Sequence, residues 1–253
     1  MNGSGSATGE AEAARNLQPS AFSLRPCLVN RLDRETSGVV LIAKNPGTAG
    51  ELGKILEART VQKEYLAIVH GRVRDDHGLI DAPLGKDDHS LVAVKDCVRP
   101  DGAPAQTEFF VERRFVRDVR AGSPLPAGAA EDHGAHRVTR PAEAPPSSPL
   151  TLNPQLSTCS LLRVIPLTGR KHQIRIHFAH LGHPIVGDKL YGGDEDLYLA
   201  LVEDRLTPEQ RARLILPHQA LHASALRFSW RGRLMEFSCA PEPWFSEFVS
   251  LSL

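Results

Sequence analysis

Hydrophobic and polar positions alternate over much of this chain, a spacing typical of β-strands that bury one face. The pattern predicts strands over seven segments, at 38–43, 61–69, 90–98, 106–116, 158–167, 221–230 and 234–239. Apolar positions at helical spacing predict helices over 48–58, 171–181, 194–203, 208–216 and 244–249. Runs of strands with interspersed helices indicate an α+β fold, with a mixed, mainly antiparallel sheet and flanking helices.

Two segments contain little that could form a core. Residues 1–21 are rich in Gly, Ser and Ala, and Pro and Ala accumulate at about 118–157. We expect a disordered tail at 1–21 and a single domain over 22–253, interrupted by a surface insert at 118–157. With 253 residues, of which 41% are hydrophobic, the chain can bury a sizeable core.

Composition narrows the function classes. The formal net charge is zero, so any binding of nucleic acid must come from a local basic patch. The four cysteines lie far apart without a CxxC pair, which indicates neither a zinc knuckle nor a disulfide framework. No apolar run approaches the roughly 20 residues of a membrane span, and the first residues lack the order of a secretory signal. These features predict a cytoplasmic protein without a membrane partner.

The segment 30–38 places a carboxylate, Asp33, between Arg31 and Arg34 and just before an apolar run. A strand over that run would leave Asp33 on a loop at the mouth of the sheet. The two guanidinium groups would keep the acid ionised and could bind phosphate, since their geometry matches phosphate oxygens. This pattern suggests chemistry on a nucleotide. A surface turn held by ion pairs is the alternative, and the segment alone does not decide between them.

The segment 168–191 is the second concentration of charge. Five cations accompany one acid, Asp188, over 163–189: Arg163, Arg170, Lys171, Arg175 and Lys189. Ile174, Phe178 and Leu181 share one helical face, which predicts that Arg175 lies beside the buried side with Asp33 as its obvious partner. The strip indicates an anion-binding surface, and a solvated basic face is the alternative.

Histidines and a tyrosine leave two further questions open. His172, His177, His180 and His183 invite a metal site, but the spacing of the last three winds around a helix and no HExxH motif accompanies them. Hydrogen bonding or phosphate contact is the preferred interpretation. Tyr65 lies in a predicted strand, where it could pack in the core or stack on a nucleobase.

Four separated blocks resemble the RluA family of RNA pseudouridine synthases in the family's order. They are RLDRETSGVVLIAKN at 31–45, KEYLAIVHG at 63–71, LTGRKHQIRIHFAHLGHPIVGDKLYG at 167–192 and LHASALRFSW at 221–230. Two features depart from the family. Asn30 stands where relatives have His, and their strand with a Lys-Pro-x-Gly turn has no counterpart before the aspartate block, so an unpaired sheet edge is expected.

The resemblance implies that Asp33 is the catalytic aspartate, that Tyr65 packs against the target uracil and that Arg175 pairs with Asp33. It also implies conversion of uridine to pseudouridine in structured RNA, either rRNA or tRNA, by a monomer that needs no cofactor and no metal. The residues expected to bind substrate are Arg31, Arg34, Thr36, Arg170, His172 and Leu221. An RNA-binding relative with impaired catalysis is the main alternative, and a metal-dependent hydrolase is a third.

Overall fold

The computed structural model describes residues 25–118 and 156–250. The predicted tail at 1–21 and residues 119–155 of the predicted insert lie outside this described part. The strands within it are β1 (Cys27–Leu28), β2 (Ser37–Gly38), β3 (Ile42–Ala43), β4 (Gln62–His70), β5 (His77–Asp81), β6 (Leu84–Lys86), β7 (Asp96–Val98), β8 (Gln106–Asp118), β9 (Leu156–Pro166), β10 (Leu221–Trp230) and β11 (Arg233–Ser238).

Five helices accompany these strands in the described ranges: α1 (Pro46–Glu57), α2 (Gln173–His180), α3 (Asp196–Val202), α4 (Pro208–Arg213) and α5 (Pro243–Ser250). Local sequence explains two of the starts. The Asn45 side chain accepts a hydrogen bond from Thr48 N, and Pro46 follows at the first helical position. Thr207 and Gln210 form a reciprocal capping box at the start of α4.

One seven-stranded sheet organises the domain. Its order is β11-β10-β4-β9-β8-β5, with antiparallel neighbours throughout, and β2 pairs in parallel with the start of β10. Two small antiparallel pairs, β1 with β3 and β6 with β7, complete the strands. The predicted α+β class with a mixed, mainly antiparallel sheet is confirmed.

The core lies between the central strands and α2. Ala67, Ile68 and Val69 of β4 are fully buried, as is Leu162 of β9. Phe178 of α2 packs edge-to-face on Phe109 of β8, with ring centroids 5.7 Å apart. The predicted buried face of α2 is therefore confirmed, and the helix is fixed against the sheet at the point where its first turn carries Arg175.

The predicted strand at 38–43 is wrong, because the chain leaves the sheet within it. Gly38 has φ +117°, and a Cβ there would lie 2.2 Å from Ala223 O, so β2 ends where only glycine fits against β10. Val39 N still donates to Ala223 O of β10, but Leu41 N donates to the side chain of Asn30. The apolar run is split into β2 and β3, which belong to different sheets.

Other boundaries also differ from expectation. In the segment 90–98 only β7 is a strand, because the Ser90 side chain accepts from Val92 N and closes a turn. The short strands β1, β5 and β6 were not predicted, since each is too brief for a clear alternation. Asp118 pairs with Leu156, so β8 and β9 extend into both ends of the insert predicted at 118–157.

Within the described residues, no helix is both long and apolar enough to cross a membrane.

Candidate active site

A cleft of about 510 Å³ opens where several parts of the fold meet. They are the loop 30–36, the end of α1, the first half of β4, the connection between β9 and α2, the first turn of α2, and the start of β10. Its walls include the predicted residues Arg31, Asp33, Thr36, Tyr65, Arg170, His172, Arg175 and Leu221. Its volume is in the range of pockets that enclose one small organic group.

The loop that carries Asp33 is a tight turn held by a buried ion pair. Thr36 N donates to Asp33 O at 3.0 Å, and Glu35 has φ +67°, a left-handed conformation that is unfavourable for Glu. The Glu35 carboxylate accepts from the buried Lys189 ammonium at 2.8 Å. Lys189 also donates to Pro217 O, so the turn is fixed to the chain that leads into β10.

Polar side chains fix both ends of this loop. The Asn30 amide accepts from Leu41 N at 2.6 Å and donates to Val39 O at 3.3 Å, bridging the two sides of the loop. Gln219 donates to Arg34 O at 3.2 Å and to Thr36 Oγ1 at 2.5 Å. Asn30, one of the two features that depart from the family pattern, therefore orders the backbone of the loop that carries Asp33.

Arg175 donates hydrogen bonds to two carboxylates. Its Nε and Nη2 donate to Asp188 Oδ2 and Oδ1 at 2.7 and 2.8 Å, and its Nη1 lies 3.4 Å from Asp33 Oδ2. Burial by itself would lower the pKa of Arg175, but Asp188 and, to a smaller extent, Asp33 outweigh it and raise that pKa. The predicted meeting of Asp33 and Arg175 is present, although the tighter partner is Asp188.

Asp188 is a residue of the site that was not predicted from the sequence. Its side chain is fully buried, and its Oδ1 also accepts from Leu190 N and Tyr191 N at 2.9 and 3.0 Å. Burial opposes ionisation, but the Arg175 guanidinium and these backbone donors keep the pKa of Asp188 below its ordinary value. A signal was present in the sequence, since Asp188 is the single acid in the basic strip.

Tyr65 lies on β4 with its ring at the cleft. Burial raises the pKa of Tyr65 to about 12, and the nearby Asp33 carboxylate adds to this effect. The phenol is therefore neutral at physiological pH. Leu221 of β10 pairs with Ala67 of β4 and contributes an apolar wall of the cleft.

His172 supports the cleft through Tyr191. Its Nδ1 is 2.9 Å from Tyr191 Oη, and the Tyr191 ring lies 5.0 Å from the Arg175 guanidinium carbon. Burial lowers the pKa of His172, and the positive charge of Arg175 lowers it further. His172 has φ +54° and precedes α2 without capping it by a side-chain bond, so the helix begins at Gln173, two residues later than predicted.

Arg34 is the predicted substrate-binding residue that does not line the main cleft. It borders a separate cavity of about 40 Å³ together with Glu35 and Lys189. Conversely, Lys63 lines the main cleft although it was not predicted as a site residue.

The histidines of α2 have structural partners. His177 Nδ1 is 2.8 Å from Thr107 Oγ1 and its Nε2 is 3.0 Å from Ala82 O, which agrees with the expected hydrogen-bonding role. Among the residues that the structure describes, no group of three or more His, Cys, Asp or Glu side chains is arranged to hold a metal ion.

Comparisons with known proteins place this geometry in a family. The family model described as RNA pseudouridylate synthase matches residues 3–180. Ribosomal large subunit pseudouridine synthase C of Pasteurella multocida is 32% identical over 226 residues, which cover 89% of this chain and 53% of that protein. The protein of the same name from Escherichia coli (strain K12) is 33% identical, with 91% and 56% covered. The chain thus spans about half the length of these curated relatives.

A solved structure gives the same result in three dimensions. Human RNA Pseudouridylate Synthase Domain Containing 1 superposes with a TM-score of 0.58 at 25% identity, covering 87% of this chain and 70% of that one. Human RNA Pseudouridylate Synthase Domain Containing 4, at 23% identity and a TM-score of 0.55, shares the fold. On the extent of the family match, and as the RluA-like blocks predicted, this chain belongs to the RNA pseudouridylate synthase family.

Proposed function

We propose that this protein isomerises uridine to pseudouridine in structured RNA, with Asp33 as the catalytic carboxylate. One observation carries the proposal. Asp33 lies at the wall of a cleft large enough for a pyrimidine, 3.4 Å from Arg175 and beside the Tyr65 ring. The reaction breaks the bond between N1 and the ribose carbon and joins that carbon to C5. N1 takes up a proton, and C5 releases its own proton to solvent.

The cleft supports the steps that this chemistry needs. A base must leave its stack to be reached, so an apolar wall at Leu221 and an aromatic ring at Tyr65 replace the lost stacking. Arg175 orients the Asp33 carboxylate through the 3.4 Å contact. Attack on the ring, attack on the sugar carbon and removal of a sugar proton each begin from a carboxylate in this position, so the contact serves all three. No step calls for a cofactor.

The cations at the rim fit the RNA backbone. Arg31 and Arg170 face the cleft, and among the described residues neither has a carboxylate within ion-pairing distance. Because the curated relatives are named for the large ribosomal subunit, its rRNA is the first substrate to test, followed by tRNA. Comparing chemically marked pseudouridines in RNA from cells with and without the gene would identify the modified uridine.

Tritium release from RNA labelled at C5 of uracil tests the activity directly. The wild-type protein should release tritium from unmodified rRNA transcripts, and Asp33→Ala should reduce the release to background. Asp204→Asn is a matched control, because Asp204 is exposed, lies outside the cleft and has φ +52°, a conformation that Asn tolerates.

The same assay separates this proposal from an RNA-binding relative with impaired catalysis. Equal signals from the wild type and Asp33→Ala would reject catalysis by Asp33. A wild-type protein that binds the transcript without releasing tritium would favour the binding relative instead.

A further inference from the structure

Lys63 is a cation of the cleft to which neither the ion pairs nor the proposed chemistry assigns a role. It lies on β4 two residues before Tyr65, so both side chains project from the same face of the strand into the cleft. Between them, Glu64 projects from the opposite face, where it pairs with Arg227 at 3.3 Å. The segment KEY thus separates a paired carboxylate from a lysine that faces the substrate side.

The Lys63 ammonium has no carboxylate partner within the described ranges, 25–118 and 156–250. Burial lowers its pKa, and no neighbouring charge offsets that effect. Lys171 differs, because it lines the same cleft but pairs with Asp96 at 2.9 Å. A half-buried cation without a counter-ion is unfavourable, and a phosphate group would relieve this cost.

The surroundings of Lys63 also suit an anion. A Cβ added to Gly169 would lie 3.8 Å from Lys63 Nζ, so the ammonium stands beside the bare backbone of the turn that leads into α2. Arg31 and Arg170 line the same cleft. Lys63, Arg31 and Arg170 surround one opening, and the negative charge of Asp33 is already paired with Arg175. The rim of the cleft therefore carries a net positive charge.

From this arrangement we infer that Lys63 binds a backbone phosphate of the RNA strand whose uridine enters the cleft. Its position beside Tyr65 couples phosphate contact to base contact on one strand. This inference rests on the proposed function for the identity of the ligand as RNA. It adds a contact that positions the nucleotide and takes no part in bond breaking.

The salt dependence of RNA binding tests the inference. The affinity of a short oligouridylate is measured by fluorescence anisotropy over a range of KCl concentrations, for the wild type, Lys63→Met, Lys63→Arg and Lys44→Gln. Loss of one phosphate contact to a single strand should reduce the slope of log affinity against log salt by about 0.7. Lys63→Met should show this reduction, and Lys63→Arg should keep the wild-type slope.

Lys44→Gln is the matched control, since Lys44 is exposed and does not line the cleft. Its slope should equal that of the wild type. An unchanged slope in Lys63→Met, or an equal reduction in Lys44→Gln, would overturn the inference, as would wild-type binding that does not depend on salt.

Thermal unfolding excludes a purely structural role for Lys63. Because Lys63→Met keeps the apolar stem and removes an uncompensated charge, its Tm should equal or exceed that of the wild type. A lower Tm in Lys63→Met, shared by Lys63→Arg together with weakened binding, would mean that the lysine supports the fold and would reject the inference.

Tritium release keeps the two proposals apart. If the slope falls as expected while the wild type releases no tritium, the phosphate contact stands and the proposed isomerase activity fails. If tritium is released and depends on Asp33 while the slope is unchanged in Lys63→Met, the activity stands and the role of Lys63 fails.

Discussion

Arg175 Nη1 lies 3.4 Å from Asp33 Oδ2, while the other edge of the same guanidinium is held by Asp188 at 2.7 and 2.8 Å. The two carboxylates differ in environment. The Asp188 side chain is fully buried, whereas that of Asp33 is 25% exposed at the cleft. Asp188 thus anchors the arginine, and the anchored arginine presents its remaining donor to the acid that faces the cleft.

This asymmetry predicts unequal effects on stability. Arg175→Met leaves the Asp188 carboxylate buried without a counter-ion, which should lower the free energy of unfolding by about 3–5 kcal/mol. Asp33→Asn removes only the longer, partly exposed contact and should cost less than about 1 kcal/mol. Urea unfolding monitored by circular dichroism measures both, and equal losses in the two variants would contradict the assignment of Asp188 as the anchor.

The sequence marked Asp188 as the single acid of the basic strip but did not show that it pairs with Arg175. The pairing of Arg175 with an acid followed from the helical position of the arginine beside a buried face. Which acid it meets depends on the turn after α2, where Asp188 accepts from the backbone of Leu190 and Tyr191. Such local bonds leave no hydrophobic period to detect.

The predicted strand at 38–43 failed for a similar reason. The long strands β4, β8, β9 and β10 were predicted because each carries an extended apolar pattern. The run after Gly38 looks equally apolar, but contact of Gly38 with Ala223 and the bridge made by Asn30 break it. These contacts join residues distant in the sequence, so the pattern of one segment does not contain them.

Tyr65 should contribute its ring and not an ionised phenolate. With a pKa raised to about 12, its hydroxyl stays neutral well above physiological pH, so tritium release should have no alkaline limb from Tyr65 below about pH 10. Tyr65→Phe should keep the wild-type pH profile of kcat/KM. Tyr65→Ala should lower kcat/KM about tenfold or more, since base stacking on a ring contributes about 1–3 kcal/mol.

The pH profiles decide this prediction. A limb below pH 10 that is present in the wild type and missing in Tyr65→Phe would show that the phenolate forms and takes part.

Gly38 should be intolerant of a side chain. Gly38→Ala places a Cβ 2.2 Å from Ala223 O at a φ of +117°, so β2 must separate from β10 and the loop that carries Asp33 must shift. We expect a loss of about 1–3 kcal/mol in unfolding free energy and at least tenfold in tritium release.

Gly50→Ala is the matched control, because Gly50 lies inside α1 with no atom within 4 Å of an added Cβ. It should stabilise the protein by about 0.5–1 kcal/mol through helix propensity and leave activity unchanged. Similar behaviour of the two variants would show that close approach to Ala223 does not constrain the loop.

Two buried histidines should make the protein sensitive to acid. Burial lowers the pKa of His70 and of His177 to about 4, against an ordinary value of 6.5. Between pH 6.5 and 4 these two histidines bind protons in the unfolded chain but not in the folded chain. Their contribution to the free energy of unfolding is therefore fully present above pH 6.5 and is lost as the pH falls towards 4. Each histidine should contribute a slope of about 1.4 kcal/mol per pH unit.

Single substitutions separate the two histidines. The Nδ1 of His70 has no hydrogen-bond partner in the described part of the chain, so His70→Leu should change stability little at pH 7. Between pH 6.5 and 4 it should reduce the slope of unfolding free energy against pH by the contribution of one histidine. His177→Leu removes bonds to Thr107 and Ala82 and should lower stability by about 1–3 kcal/mol already at pH 7. Urea unfolding across this pH range gives both quantities. Curves for the wild type and His70→Leu that run parallel below pH 6.5 would mean that His70 becomes protonated without unfolding, and the acid sensitivity would then have to come from other groups.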